Sequence, residues 1–383
     1  MRYLFFILCM LTVNLVQADP LTSRVLKDSG TKNNIYSPLS LNEALAMVYA
    51  GSAGDTASEI QNGTGWGNPT QTVAFYANLN ATFANLDKAD QFQIKVANSL
   101  WLQKSFSLEP TYLEDLRLLN AEGHSVDFVN QAESARTDIN TWVDAKTSSK
   151  IKNLIAPGLL TPLTRLVLCN AVYFKADWAS PFEAIGTTKQ DFTSNTGTSQ
   201  VDTMHKTGHF KYFEDTDTQY IELPYKGQAT SMIICLPKAR NGLGNWLASL
   251  SDKQLAALPG LFDSQYERVN LALPKFKIEC TQSKLALQME KIGIKKLFSP
   301  DANLDGIAKG QGLFVSSIIQ KTMVAVDEKG TEAAAATAIM VAGNAMPIEK
   351  PVDFVVDHPF VFLIVTKANP TILFAGVIQD LGQ

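Results

Sequence analysis

Asp327-Glu328-Lys329-Gly330-Thr331-Glu332-Ala333-Ala334-Ala335-Ala336-Thr337-Ala338-Ile339 runs straight into Met340-Val341-Ala342-Gly343-Asn344-Ala345-Met346-Pro347. From Gly330 to Ala338 every residue except Glu332 is small. Propensity alone makes Glu332 to Ala336 a surface alanine-rich helix. That reading leaves Gly330, the Gly343-Asn344-Ala345 step and the later prolines without a role. As a strand the same stretch is coherent. Thr331, Ala333, Ala335 and Thr337 point one way, and Glu332, Ala334 and Ala336 the other. The first set is small and uncharged, so it can be buried. No proline interrupts Gly330 to Met346, so the backbone N–H groups are free to join a ladder.

Upstream, Leu313 to Val326 reads as a long strand, and Thr164 to Lys175 is a near-continuous apolar run of the kind buried on both faces. Gln91 to Gln103 alternates with period two. Gln219 to Leu236 gives two strands around the Pro224–Gly227 turn, and Phe360 to Thr366 with Thr371 to Ile378 forms a hairpin around Asn369-Pro370. Ser40 to Glu43 fits a capping box that opens an apolar helix through Tyr49, and Thr56 to Glu59 repeats the pattern on a short helix ending at Gly63 to Gly67. Gln71 to Leu86, Gln131 to Lys146 and Thr281 to Ile292 are read as further helices. Strands and helices mix without strict alternation, so the fold class is α+β.

The chain has 383 residues, 46% of them hydrophobic, with a net charge of −4. This excludes a disordered chain and a small disulfide scaffold, and nothing in the charge pattern points to nucleic acid or a membrane surface. Arg2, the apolar Leu4 to Leu11 and Val16-Gln17-Ala18 read as a signal peptide at 1–18, which makes the protein secreted and extracellular. Removing Cys9 leaves Cys169, Cys235 and Cys280. Buried free thiols are the favoured reading, with one disulfide and one free thiol as the alternative. Asn62-Gly63-Thr64 and Asn80-Ala81-Thr82 are glycosylation sequons. His205 and His209 are separated by Lys-Thr-Gly, which opposes a helical zinc pair. No nucleophile elbow, phosphate loop or dinucleotide fingerprint is present. An enzyme, a metal site and a cofactor are therefore not expected.

The stretch from Asp327 to Pro347 resembles the reactive-loop hinge of an inhibitory serpin, and further motifs extend the likeness. Asn34-Ile35-Tyr36-Ser37-Pro38-Leu39-Ser40 resembles the family's opening motif, and Asn170-Ala171-Val172-Tyr173-Phe174-Lys175-Ala176-Asp177-Trp178 its NAxYFKGxW strand. Glu222–Gly227, Leu273–Phe276, Asp357–Phe360 and Phe374–Gly376 match other signatures in the right order. The resemblance implies one domain over 19–383 with three β-sheets, eight to nine helices and an exposed reactive-centre loop at about 328–350. It implies a suicide inhibitor: a protease acylates the loop, and the hinge (Glu328, Gly330, Thr331, Glu332, Ala333, Ala334, Ala335, Ala336, Thr337) then enters the central sheet.

The family's loop count, with Glu328 as the seventeenth residue before the bond, puts the scissile bond at Asn344–Ala345. A shift of one or two residues presents Gly343, Ala345 or Met346, and Met340 is the outside alternative. Val341, Ala342 and Ala345 suit an elastase-like target. Ser37, Ser40, Asn170, Trp178 and Gln320 fall at the family's shutter and breach positions. Gln320 stands where many members carry histidine. It would face Ser37 and Asn170 in a neutral network without a histidine-type pH response. Ala176 replaces the usual glycine. Gln71 to Leu86 lacks basic residues, so a heparin site there is not expected, and the protein is expected to be a monomer. The alternatives are a non-inhibitory carrier, chaperone or storage serpin, whose hinge would carry bulky, charged or proline residues, and an inhibitor of an asparagine-specific cysteine protease.

Overall fold

The structure is a computed structural model and describes residues 20–88, 92–262, 266–310, 312–331, 350–367 and 370–382. The first half of the chain forms α1 (Thr22–Lys27), β1 (Asn34–Tyr36), α2 (Pro38–Ala50), α3 (Gly54–Thr64), α4 (Pro69–Lys88), β2 (Gln93–Gln103), α5 (Pro110–Leu118), β3 (Ala121–Val126), α6 (Phe128–Lys146) and β4 (Leu166–Asp177). There follow β5 (Thr188–Ser194), β6 (Gly197–Glu214), β7 (Thr218–Pro224), β8 (Thr230–Pro237), α7 (Leu243–Ser249), α8 (Asp252–Ala257), β9 (Tyr266–Pro274) and β10 (Phe276–Gln282). The chain ends with α9 (Leu285–Lys291), β11 (Val315–Val326), β12 (Gly330–Thr331), β13 (Val352–Val355), β14 (Phe360–Thr366) and β15 (Ile372–Ile378). The nine α-helices among the described residues agree with the expected number.

The central sheet has the order β10-β11-β12-β4-β2-β3. The other strands form one network, β1-β15-β14-β8-β7-β6-β9-β13, with β5 also on β6. Strand β6 changes partner along its length: Gly197–Thr203 pairs with β5, Thr203–Lys211 with β9 and Lys211–Glu214 with β7. It thereby links a leaf around β7, β8, β14 and β15 to a leaf of β5, β6, β9 and β13. With the central sheet these make the three sheet bodies that the family likeness implies.

Alternation along β4 explains why it carries apolar residues on both faces. Val167, Cys169, Ala171 and Tyr173 face a cluster under α6 that includes Ile139 and Val143. Leu166, Leu168, Val172, Phe174 and Ala176 face the main core, which collects residues from Leu21 to Ile378. Helix α2 lies in that core and is buried at nearly every position. Its N-cap is Ser37, whose Oγ accepts the Ser40 N–H at 3.2 Å, and Pro38 occupies the first turn. The expected box at Ser40–Glu43 is thus displaced by three residues: a Ser-Pro pair is the stronger start signal, since proline needs no N–H there. Helix α3 likewise starts at Gly54 rather than Thr56, and closes on left-handed Gly65 as its sequence suggests. The expected helix at Thr281 is shorter, because β10 continues to Gln282 in register with β11.

Candidate functional site

The chain leaves β11 at Val326 and reverses through Asp327. The Asp327 N–H donates to Gly330 O at 2.9 Å, and its Oδ1 accepts from the Lys329 and Gly330 N–H groups at 2.9 and 3.3 Å. Gly330–Thr331 then slots between β11 and β4 as β12, antiparallel to both, with Val326↔Thr331, Gly330↔Asp177 and Thr331↔Ala176 in register. Glycine is required at 330 by close approach: a Cβ would overlap the backbone of Ala176 and Asp177. Thr331 is fully buried, and its hydroxyl lies 2.7 Å from the Tyr225 hydroxyl. Trp178 stacks on Tyr225 with centroids 4.6 Å apart, and its indole N–H donates to Asp327 O at 3.0 Å. The backbone N–H groups of Trp178 and Phe182 donate to Lys329 O and Glu328 O at 2.6 and 2.7 Å. The Glu328 carboxylate receives Lys275 Nζ at 2.9 Å and Thr187 Oγ1 at 2.8 Å. Burial alone would raise its pKa, but these bonds hold it below the usual carboxylate range, so it remains anionic.

Below this foothold β11 and β4 pair directly in parallel, from Val315↔Leu166 to Met323↔Tyr173. Gln320, Asn170 and Asn98 sit side by side on β11, β4 and β2. Ser37, Ser40 and Glu43 on α2 face them, spaced so that they share one helix face. The Gln320 amide donates to Asn170 Oδ1 at 2.7 Å and Ser37 O at 3.0 Å, while its Oε1 accepts the Ser37 N–H at 2.8 Å. Ser37 Oγ donates to Leu373 O at 2.6 Å. Asn170 Nδ2 bonds Ser40 O at 3.0 Å, Ser40 Oγ and Asn98 Oδ1. Asn98 Nδ2 donates to Glu43 Oε2 at 2.9 Å. A buried polar row thus crosses the seam between β11 and β4.

Gln320 does face Ser37 and Asn170 as its position implies. Trp178 belongs to the upper cluster around Glu328, Gly330 and Thr331, while Ser37, Ser40, Asn170 and Gln320 form the row. Glu332, Ala333, Ala334, Ala335, Ala336 and Thr337, the bond residues Asn344 and Ala345, and the leader at 1–18 lie outside the described residues. Sequence reasoning missed Tyr225, Lys275, Asn98 and Glu43. Glu43 is buried, and desolvation pushes its pKa up to about 8 despite the bond from Asn98. The row is therefore not wholly neutral in chemistry: it ends on an acid that titrates. The helix-face spacing Ser37–Ser40–Glu43 carried that signal.

Asn62 is exposed near the end of α3, whereas Asn80 is half-buried on α4 and its amide donates to Leu119 O at 3.5 Å. Cys169, Cys235 and Cys280 are all free, and Cys169 and Cys235 are buried, with thiol pKa values raised by burial. His205 and His209 both lie on β6. No group of three His, Cys, Asp or Glu among the described residues could hold a metal ion, and no described helix is long and apolar enough to cross a membrane.

The family model described as serpin (serine protease inhibitor) matches residues 17–381. An uncharacterized serpin-like protein of Thermococcus kodakarensis is 39% identical over 362 residues, covering 92% of this chain and 82% of that protein. The leukocyte elastase inhibitor of Bos taurus is 35% identical over 365 residues, covering 93% and 95%. The crystal structure of Serpin48, a highly specific serpin in the insect Tenebrio molitor, superposes with a TM-score of 0.85 at 34% identity, covering 97% of this chain and 99% of that one.

Proposed function

Because the chain belongs to the serpin (serine protease inhibitor) family, we propose that it is a secreted, monomeric suicide inhibitor of serine proteases with an elastase-like target. The observation that carries this reading is the placement of Gly330–Thr331 between β11 and β4, at the mouth of a seam otherwise closed by direct pairing. A protease cutting at Asn344–Ala345 would be acylated by the upstream residue. The freed hinge would continue downward from Thr331, separating β11 from β4 and pairing with both.

Extending the two observed registers by six residues brings Thr337 opposite Asn170 and Gln320 together. Its hydroxyl can both donate and accept, so it can take over the direct Gln320–Asn170 bond that its entry breaks. Entry exchanges one parallel ladder for two antiparallel ones. A net gain of roughly ten backbone bonds at about 1 kcal/mol each gives on the order of 10 kcal/mol. That drives a distorted acyl-enzyme into place if insertion outruns deacylation. Exposed Asn62 is the sequon that we assign to a glycan in a host that adds them.

Incubation with elastase-, chymotrypsin-, trypsin- and legumain-type proteases tests the reading. An inhibitor gives a detergent-stable complex and a released C-terminal fragment starting at Ala345, both measured by intact mass. The legumain arm tests the cysteine-protease alternative that Asn344 raises. Clean cleavage by all four without a complex would instead make the chain a non-inhibitory serpin. Thr331→Arg should convert inhibitor to substrate, lowering the trapped fraction at least tenfold, because its charge would have to occupy the buried place of Thr331.

A further inference from the structure

A cavity of about 240 Å³ opens where β6 and the end of β7 meet the start of β9 and the residues that follow β4. Phe182, Phe210 and Tyr266 give it aromatic wall, and Tyr266 is 63% exposed. Lys206, Lys211 and Lys367 line it as well.

The three ammonium groups are balanced unequally. Glu222 is buried, and its two oxygens pair with Lys367 Nζ at 3.0 Å and Lys211 Nζ at 3.5 Å. One carboxylate thus serves two cations. Each ammonium group has three donors, so both can serve a second carboxylate. Lys206 differs. Its Nζ donates to Ser180 O at 2.7 Å, to Pro181 O at 2.9 Å and to Ser180 Oγ, all of them neutral. Burial holds its pKa below the usual lysine range, against the pull of Glu183. A half-buried cation held by neutral oxygens gains from an anion brought beside it. Lys206 Nζ also lies 5.9 Å from the centre of the Phe182 ring, so charge and aromatic wall meet there.

Wall and charge suit different parts of one ligand. An inorganic anion would leave the aromatic wall wet. A neutral arene would leave the Lys206 charge uncompensated, and a cation would join three like charges. We propose that this cavity binds an aryl carboxylate, its ring against Phe182, Phe210 and Tyr266 and its carboxylate on Lys211 and Lys367, with the Lys206 charge nearby. Two lysines then face two carboxylates, the ligand's and that of Glu222.

The test uses the intact chain and 3-phenylpropionate. Calorimetric titration should show one saturable site that weakens as sodium chloride is raised. 3-Phenylpropan-1-ol and acetate separate the two halves of the ligand, and each should bind at least tenfold more weakly. 3-Phenylpropylammonium should not compete. Lys367→Gln should weaken 3-phenylpropionate at least tenfold, and Tyr266→Ala at least threefold. Lys189→Gln removes an exposed lysine on β5 and should leave the affinity unchanged. No saturable binding, binding of the alcohol, acetate or the ammonium ion as tight as that of 3-phenylpropionate, or an equal loss in Lys189→Gln would each overturn the proposal. So would an affinity that neither Lys367→Gln nor Tyr266→Ala alters. The ligand comparison is made on the unsubstituted chain, so it decides the matter even if a variant folds poorly.

Discussion

Glu43 shows how a short pattern misleads at the scale of one residue. Ser40 and Glu43 have capping-box spacing, but Ser37-Pro38 had already started α2, so Glu43 falls in its second turn beneath the central sheet. Periodicity counted from the true cap places Ser37, Ser40 and Glu43 together. Asn170 was legible from a long strand motif and Gln320 from its position in the family likeness, whereas their link to Asn98 depends on the pairing of β2 with β4, which no local pattern states. The acid has a measurable signature. Its folded pKa of about 8 lies above the ordinary value of 4.5. The folded chain holds a proton that the unfolded chain has lost, so the stability linked to that proton is complete below about pH 4.5 and disappears as pH rises through 8. Relative to Glu43→Gln, the unsubstituted protein should lose up to about 1.4 kcal/mol per pH unit across that window. Urea midpoints measured from pH 4.5 to 9 will show it; a constant offset between the two proteins would mean that Glu43 ionises normally.

Among the elements, the strands with long apolar or alternating runs were readable: β2, β4, β11 and the β14–β15 hairpin lie close to their expected limits. The error at Thr281 has a tertiary cause. Thr281 and Gln282 can be helical locally, but β11 offers them a ladder opposite Lys321 and Gln320, and pairing overrides propensity. Helix α6 was read correctly as amphipathic, though its duty was not visible. Its Ile139 and Val143 share one cluster with Val167, Cys169, Ala171 and Tyr173 of β4 and Ile319 and Met323 of β11. The helix therefore covers the seam on the face opposite the polar row. Ile139→Ala should reduce stability by about 3 kcal/mol through the cavity it leaves. It should also accelerate spontaneous loss of inhibitory activity at elevated temperature, as a looser cover lets β11 and β4 part. Unchanged inactivation rates in a destabilised variant would show that α6 does not restrain the seam.

For the whole molecule, the proposed mechanism requires that the uncut arrangement leave a favourable sheet unbuilt. A single cut in the loop should raise the thermal midpoint by roughly 13 °C, the equivalent of about 10 kcal/mol in a chain of this size. Calorimetry before and after nicking checks this, and Thr331→Arg should show little of the rise. The short β12 also sets how that transition proceeds. A new strand must ordinarily find its partners, its direction and its offset before any rung rewards it. Gly330 and Thr331 already hold all three fixed in the uncut chain. On the proposed mechanism, a cut loop would need only to propagate its strand from one end, like a zip already engaged on its first teeth. A slip by one residue would turn Glu332 inward and Thr337 away from Asn170, and the engaged end forbids it.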